Sequence, residues 1–599
     1  MTDDSRWQAA ACHPDLQAAL ADDDAGTLLM GSPLRAIADD HDADEDVRYV
    51  SGLLAKVAWF MPNGDDWTNP YGPFATVGDR QSPIPADFAE ADLAVLAEIA
   101  DLIPSLILRS RVLDVLAITG DPALRSTRHA AQLRALADHG VTSEAMTHAA
   151  EQWDRGLAVA VRFRGVASLQ LNEIERQLVE AATTSTDGAL AVRAARMLGD
   201  HRLGRQQAAA IAAHLAEDAN GVESIAAQPT LEVAAEWYRR AGDPEAAEDA
   251  TFAIVQRLIA AADASEAFRA SIHLELALKI LRTLPRTARE RLGAVDLATD
   301  LARRIRESGA AAIGQMEVIS TESGDIGDHV TELLDVIRSD DAVESVRRFA
   351  GIQAFASLSA ARTEAEQRSS LLSFIGRRTL TSDGRTVYRS PESDDARIYG
   401  EKAATWEGMI EHYQLRVNLL GGIVLPRAWR QVSSDHRLHI GDFQALAAGS
   451  SIVPSSHERV FAQGLHYGYS GDFGAAVHLL VPAIEALVRL HLANAGERTS
   501  AIGADGNENE IGLSALMENN QSVDIFGEDV VFELRALMCG PIGPNLRNEV
   551  AHGLLGDRVF SSGVSVYLWW FTLKLVFMPY WNALHDPEAA EAREPAAPE

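Results

Sequence analysis

One stretch limits the possible folds more than any other, the run VSVYLWWFTLKLVFMPYW at residues 564–581. A helix this apolar on every side has two resting places. It crosses a bilayer, for which it is nearly long enough, or other helices wrap it completely. Lys574 lies inside the run and Pro579 near its end, and the segment just upstream carries helix-start signals that need a packed bundle. The run therefore reads as the buried core helix of a bundle. The alternative, a membrane-attached chain using 564–581, predicts that the protein pellets with membranes.

The rest of the composition agrees with helices. Alanine is abundant and aromatics are only 6%, which favours helix over sheet. At 599 residues the chain exceeds what one core organises, so two to four domains are expected. We divide it into an irregular and helical segment at 1–84, an α-helical array at 85–361, a hairpin-containing connecting region at 362–450, a helical bundle at 451–585, and a disordered acidic Pro/Ala tail at 586–599. The first segment contains the turn-rich WFMPNGDDWTNPYGPF, whose tryptophans are expected to pin the loop to a helix surface. In the array, AAEWYRRAGDPEAAEDATFAIVQRL reads as one tetratricopeptide-like helix pair. Ala234, Tyr238 and Ala241 would line its first helix, GDP would turn, and Ala247 would open the second packing face. TGDPALRSTRHAAQL turns the same way. No fixed period repeats, so the region is an irregular array, serving either as a partner surface or as a plain scaffold.

The one clear β signal is RRTLTSDGRTVYR. An Asp383–Gly384 pair between β-prone runs suits a type I′ hairpin. Arg377, Arg378, Arg385 and Arg389 on that hairpin are either a basic finger for a phosphate backbone or neutralise acidic neighbours. The distinction matters because the net charge of −33 repels nucleic acid unless positive charge is concentrated locally.

The bundle can be followed element by element. Ser455 and Glu458 have capping-box spacing, Asp472 can cap the next helix, and that helix runs past Pro482 towards Gly496. His466, Tyr467 and Tyr469 have core-like spacing, and His478 reads as a packing histidine. Then comes GPNLRNEVAHGLLGD. Asn545 is a good N-cap, which places Arg547 and Asn548 in the first turn, where backbone amides suit a phosphate. The helix dipole disfavours an arginine there, so Arg547 implies an anion or a carboxylate partner. Asn548 and His552 share a face four residues apart, and Gly553 can end the helix.

RNA cleavage by transesterification needs little more than this. A histidine moves a proton near neutral pH, and a cation stabilises charge on the phosphorane. His552 and Arg547 would fill these roles, and Asn548 would orient phosphate or imidazole, with no metal or other cofactor. A second copy of the chain, packed by two-fold symmetry, would bring the second histidine. The bland alternative is a polar helix start whose histidine bonds a carbonyl.

The motif LRNEVAHG within a C-terminal helical bundle resembles the HEPN superfamily, whose signature is R-x(4–6)-H with a polar residue after the arginine. VPSSHERVFAQGLHYGYSGDFGAAVHLLVPAIEALVRLHLANAG followed by LRNEVAHGLL resembles the branch catalogued as domain of unknown function 4209, and the SDGRTVYRSP hairpin looks like part of that pattern. The resemblance covers about 362–581. It implies a metal-independent endoribonuclease, usually dimeric and often found in toxin–antitoxin or phage-defence settings. It carries over Arg547, Asn548 and His552, and it points to Glu485 as an acidic residue that could pair with the arginine, against an ordinary i,i+4 bridge from Glu485 to Arg489. Some members bind RNA without cutting it, so a non-catalytic interaction and dimerisation protein is the second hypothesis, with a further protein partner or inhibitor on the N-terminal array.

Several functions are excluded by motif. There is no Walker-type loop, no H-E-x-x-H helix and no G-x-S-x-G elbow, and two cysteines make no disulfide framework. The acidic N-terminus MTDDSRWQAAACHPDLQ has no apolar signal segment, so a cytoplasmic location is expected.

Overall fold

The computed structural model describes residues 4–585 apart from 22–25, 64–65, 68, 78–79, 223, 317–326, 368–376, 382–383, 392–395 and 504–505. The protein is mainly α. Among the described residues, strands occur only as small two-stranded antiparallel pairs. The chain divides into two compact units, 1–308 and 309–599, a coarser division than the segments expected from sequence. The expected tail at 586–599 lies outside the described residues.

The first unit is the helical array. Its apolar residues form three successive cores, from Ala10 to Leu116, Ile107 to Trp237, and Ala219 to Leu301. The GDP turn works as its chemistry suggests. Helix Gln228–Ala241 ends, Asp243 accepts the Ala246 amide at 3.0 Å, and Pro244 opens helix Pro244–Asp263. Ala234 and Ala247 are buried as anticipated, but Ala241 is exposed. The true core residue is Trp237, whose indole donates to the Ala195 carbonyl at 3.2 Å. At TGDP, Asp121 instead starts a 3-10 turn, Pro122–Leu124, ahead of helix Arg125–His139. Trp67 of the turn-rich loop lies under the guanidinium groups of Arg155 and Arg162, 4.3 and 4.7 Å from its ring centre. This tryptophan does pin its loop to a helix.

The second unit is a bundle built around helix Gly563–His585. Every residue from Ser565 to Phe577 is buried. Helices Ala403–Leu419, Glu458–Tyr469 and Phe473–Asn494 pack against it. Each fully buried leucine, valine or phenylalanine contributes about 1.5–3 kcal/mol. Its polar atoms find protein partners. Trp569 donates to Leu465 O (2.9 Å), Trp570 to Phe349 O (3.0 Å), Thr572 to Leu568 O (2.8 Å) and Tyr567 to Glu533 (2.8 Å). The Lys574 ammonium donates to the Gln353 carbonyl and lies over the rings of Phe355 and Trp570, at 4.4 and 5.2 Å. The bundle thus supplies what a lone span in lipid would lack. By length and composition, helix Phe473–Asn494 could cross a membrane, yet Val477, Leu480, Ile484 and Leu487 are buried in the same core.

Local signals held unevenly. Asp472 caps helix Phe473–Asn494 through the Ala475 amide at 3.0 Å. Ser455 does not form the expected capping box. It opens a 3-10 turn, Ser455–His457, and helix Glu458–Tyr469 follows with His457 at its cap and no side-chain bond there. His478 bonds the Gly474 carbonyl at 2.8 Å, as a packing histidine should. Tyr469 donates to the His436 carbonyl at 2.8 Å from within the core, whereas Tyr467 is exposed.

Burial pushes the Lys574 amine from its ordinary 10.5 down to about 8. A proton held more weakly in the folded state than in the unfolded one costs stability as pH falls from above 10.5 through 8. The variant Lys574→Met should therefore gain stability over the parent at pH 7.5 and lose about 2 kcal/mol of that advantage by pH 9.5. Urea unfolding of both proteins at the two pH values checks this, since the difference between them cancels the other titrating groups.

Candidate functional site

The motif begins where helix Glu528–Met538 stops. Cys539 turns the chain into an extended conformation, and the loop runs through Gly540 and Pro544 to Asn545. Asn545 occupies the cap position, but in the left-handed region at φ +49°, and its side chain makes no capping bond. Leu546, 3% exposed, anchors the short helix Leu546–Ala551 in the core. The helix ends as Gly553 permits: at φ +65° its amide donates to Val550 O (3.2 Å), and the Leu554 amide reaches Glu549 O (2.9 Å). That pair of bonds is a Schellman motif. Six residues sum to a small macrodipole, so the expected pull on a phosphate is weak here.

Arg547 finds a carboxylate. Its Nε donates to Glu485 Oε2 at 3.1 Å, and Glu485 Oε1 accepts from Arg489 Nη2 at 3.0 Å. Both pairings considered for Glu485 therefore exist together, one on each oxygen. Arg489 is further fixed by Glu510 (2.6 Å), Thr499 O (2.8 Å) and Ile511 O (2.7 Å). The Glu485 side chain is 17% exposed and that of Arg547 35%. The bond from Arg547 to Glu485 uses Nε; no described residue hydrogen-bonds Nη1 or Nη2, and Nη2 lies beside Gly512.

Asn548 points elsewhere. With Asn545 and Glu549 it lines a groove of about 400 Å³ whose opposite wall is the hairpin, through Thr379, Arg385 and Val387. Arg547 is not part of that lining. His552 is exposed and lies four residues from Asn548 and two from Leu554, both of which line the groove. No described group hydrogen-bonds its imidazole. The structure thus brings Asn548 and Arg385 to one groove, turns Arg547 towards Glu485, and leaves His552 facing solvent rather than a dry core.

The hairpin pairs Arg378–Leu380 with Thr386–Arg389, with a register shift after Thr379. Gly384, at φ +84°, donates to Thr381 O (2.9 Å), and the Thr381 amide donates to Arg385 O (2.8 Å). The closing bonds thus fall one residue earlier than in a two-residue type I′ loop centred on 383 and 384, and they suit a three-residue loop. Asp383 lies outside the described residues. Two acids of helix Ala403–Leu419 dock the hairpin. Glu411 pairs with Arg377 at 2.9 Å, and buried Glu407 accepts from Tyr388 (2.7 Å) and Ser390 (2.9 Å). Arg378 donates to Thr386 Oγ1 at 2.6 Å, and burial lowers its pKa. Neutralisation therefore describes Arg377; Arg385 and Arg389 are exposed as it is, and each has interaction partners of its own.

Two features escaped the sequence reading. Glu533 is fully buried and accepts from Tyr413 Oη (3.0 Å), Tyr567 Oη (2.8 Å) and the Ala356 amide (2.6 Å). A true type I′ hairpin occurs at Tyr399–Gly400, between Arg397–Ile398 and Glu401–Lys402, and its only signal was the dipeptide Tyr-Gly. Among the described residues no group of three or more His, Cys, Asp and Glu side chains is arranged to hold a metal ion.

The family described as a domain of unknown function (DUF7380) matches residues 11–172, which belong to the first unit, whereas the motif helix belongs to the second. No curated protein and no solved structure matches the chain.

The Arg547–Glu485 pair should be measurable in unfolding experiments. A double-mutant cycle of Arg547→Gln with Glu485→Gln is expected to give a coupling of about 1 kcal/mol, reduced by high salt because the arginine is partly exposed. Additive effects would show that the pair holds nothing in place.

Proposed function

We propose that the second unit is a metal-independent endoribonuclease of the type the HEPN resemblance implies. The observation that carries the reading is His552: an exposed imidazole with no described hydrogen-bond partner, at the C-terminal cap of the helix that turns Asn548 into a groove walled by an arginine-bearing hairpin. In the reaction, a ribose 2′-oxygen attacks the adjacent phosphorus while its proton passes to a histidine. The bond from phosphorus to the 5′-oxygen breaks, and that oxygen takes a proton from a second acid. The products are a 2′,3′-cyclic phosphate and a 5′-hydroxyl.

Glu485 acts as a positioning residue. A carboxylate on Nε fixes the plane of the Arg547 guanidinium and leaves the Nη edge, the fork that suits phosphate oxygens, for the charge on the phosphorane. Asn548 steadies the phosphate from the groove. One chain supplies one His552, so a second copy provides the other proton carrier in a two-fold assembly.

One observation favours a second reading. Arg547 already has a partner inside the bundle, so the motif would equally anchor a short helix in a non-catalytic dimerisation and interaction module. In that case Arg547→Ala costs stability and nothing else.

RNA incubated with the purified chain in EDTA should yield fragments ending in 2′,3′-cyclic phosphate. His552→Ala should slow their formation by about 10²–10⁴-fold without loss of folding. Intact RNA under all conditions, candidate activators included, would remove the enzyme reading and leave the second.

A further inference from the structure

Beside the groove lies a second cavity, of about 300 Å³, and the two share Pro541 and Gly543 as a common wall. Strand Thr386–Arg389 runs between them: Val387 faces the groove and Tyr388, by the alternation of a strand, faces the cavity. Three aromatic residues, Tyr388, Tyr399 and Trp406, line it. We propose that this cavity receives one unstacked nucleobase of a single strand lying in the groove. The inference rests on the RNA reading above for the strand itself, and it adds where a base is held.

Each ring is fixed by a partner. Tyr388 donates its hydroxyl to Glu407 at 2.7 Å. The Arg535 guanidinium sits over the Tyr399 ring, 4.7 Å from its centre. Trp406 meets Tyr399 edge-on at 5.1 Å and 64°, and is braced by Phe532 at 5.9 Å and 85°. Rings held this way are already ordered, so a base entering the cavity meets aromatic surface with little ordering left to do, as in the gripping of single strands. The volume sits at the small end of ligand pockets, and this suits one base rather than a run of them. At its mouth Glu518 offers an acceptor and Arg397 a donor for the base edge. Cys539 in its wall is not reactive, because burial pushes the thiol up to about 12.

Tyr399 also carries backbone strain. It stands at φ +50° and Gly400 at φ +85°, in a two-residue turn whose positions belong to Asn, Asp or Gly. A bulky residue there is a steric outlier. Among the described residues only Arg202, Tyr399 and Asn545 adopt positive φ without being glycine. Two of the three border this pair of cavities, Tyr399 at one and Asn545 at the other. Strain kept at a position that asparagine would relieve is a sign that the ring itself is used.

The test uses the full chain carrying His552→Ala, so that RNA stays intact, with and without Tyr399→Asn, which suits the turn. Two probes are titrated at low salt: a 12-nucleotide single-stranded oligoribonucleotide and the same backbone with every base removed. Tyr399→Asn should weaken the base-bearing strand by about tenfold, leave the abasic strand unchanged, and keep or raise the melting temperature. Equal affinities with and without Tyr399 for the base-bearing strand overturn the base pocket while RNA binding stands. No binding of either probe overturns the pocket and the RNA reading together. Tyr399-dependent binding by a chain that, with His552 restored, cuts no RNA upholds the pocket and removes only the cleavage.

Discussion

The second unit depends on one buried carboxylate. Glu533 sits inside the bundle and is fully enclosed, a position that would cost several kcal/mol if its oxygens went unpaired. It holds three donors from three parts of the chain: Tyr413 in helix Ala403–Leu419, Tyr567 in helix Gly563–His585, and the Ala356 amide. Burial raises the Glu533 pKa, and the donors together with the charge of Arg416 pull it back. Lys574 and Arg416 complete the surroundings by bonding the carbonyls of Gln353 and Ala354. An apolar helix can rotate or slide among greasy neighbours at small cost. Helices joined to a single buried anion cannot, because slippage strands a polar group.

That fixed point explains why the motif is held so well by so short a helix. Glu533 lies on helix Glu528–Met538, and the loop leaving that helix is the one that ends at Asn545. On the other side of the groove, the hairpin is docked by Glu407 and Glu411 on the same helix that carries Tyr413. Both walls therefore trace back to elements bonded to Glu533. The motif helix adds two tethers of its own, Leu546 in the core and Arg547 on Glu485. Six helical residues would not persist alone; here tertiary contacts supply the stability.

What the sequence revealed follows the range of the interactions involved. Local chemistry was legible: the core character of 564–581, the GDP turn, the Asp472 cap and the stop at Gly553 all depend on residues within a few positions. Glu485 was half legible, since its i,i+4 partner Arg489 is local and its other partner, Arg547, is 62 positions away. Local rules also misled. Ser455 and Asn545 have capping side chains but not the capping geometry, because 3-10 and left-handed backbones took those positions. The type I′ turn was sought at Asp-Gly and found at Tyr-Gly, where propensity argues against it. Nothing in the sequence showed that a hairpin near 385 would face a helix near 548, or that Glu533 would gather its donors. Those are long-range facts, set by packing.

The charge of the chain then becomes a question of placement. At −33 the protein's field as a whole opposes a polyanion, and the arginines around the motif do not form an open basic face. Arg377 and Arg547 are each bound to a glutamate. These pairs lower the local positive potential, but they also decide which way each guanidinium points. A surface built like this draws little of its affinity from counterion release, which needs many free cations along a strand. Binding would have to come from a few oriented nitrogens, from groove shape and from aromatic faces. On that account the acids belong to the proposed site: Glu485 and Glu411 give up attraction at long range for geometry at short range, and geometry is what a single exposed imidazole requires.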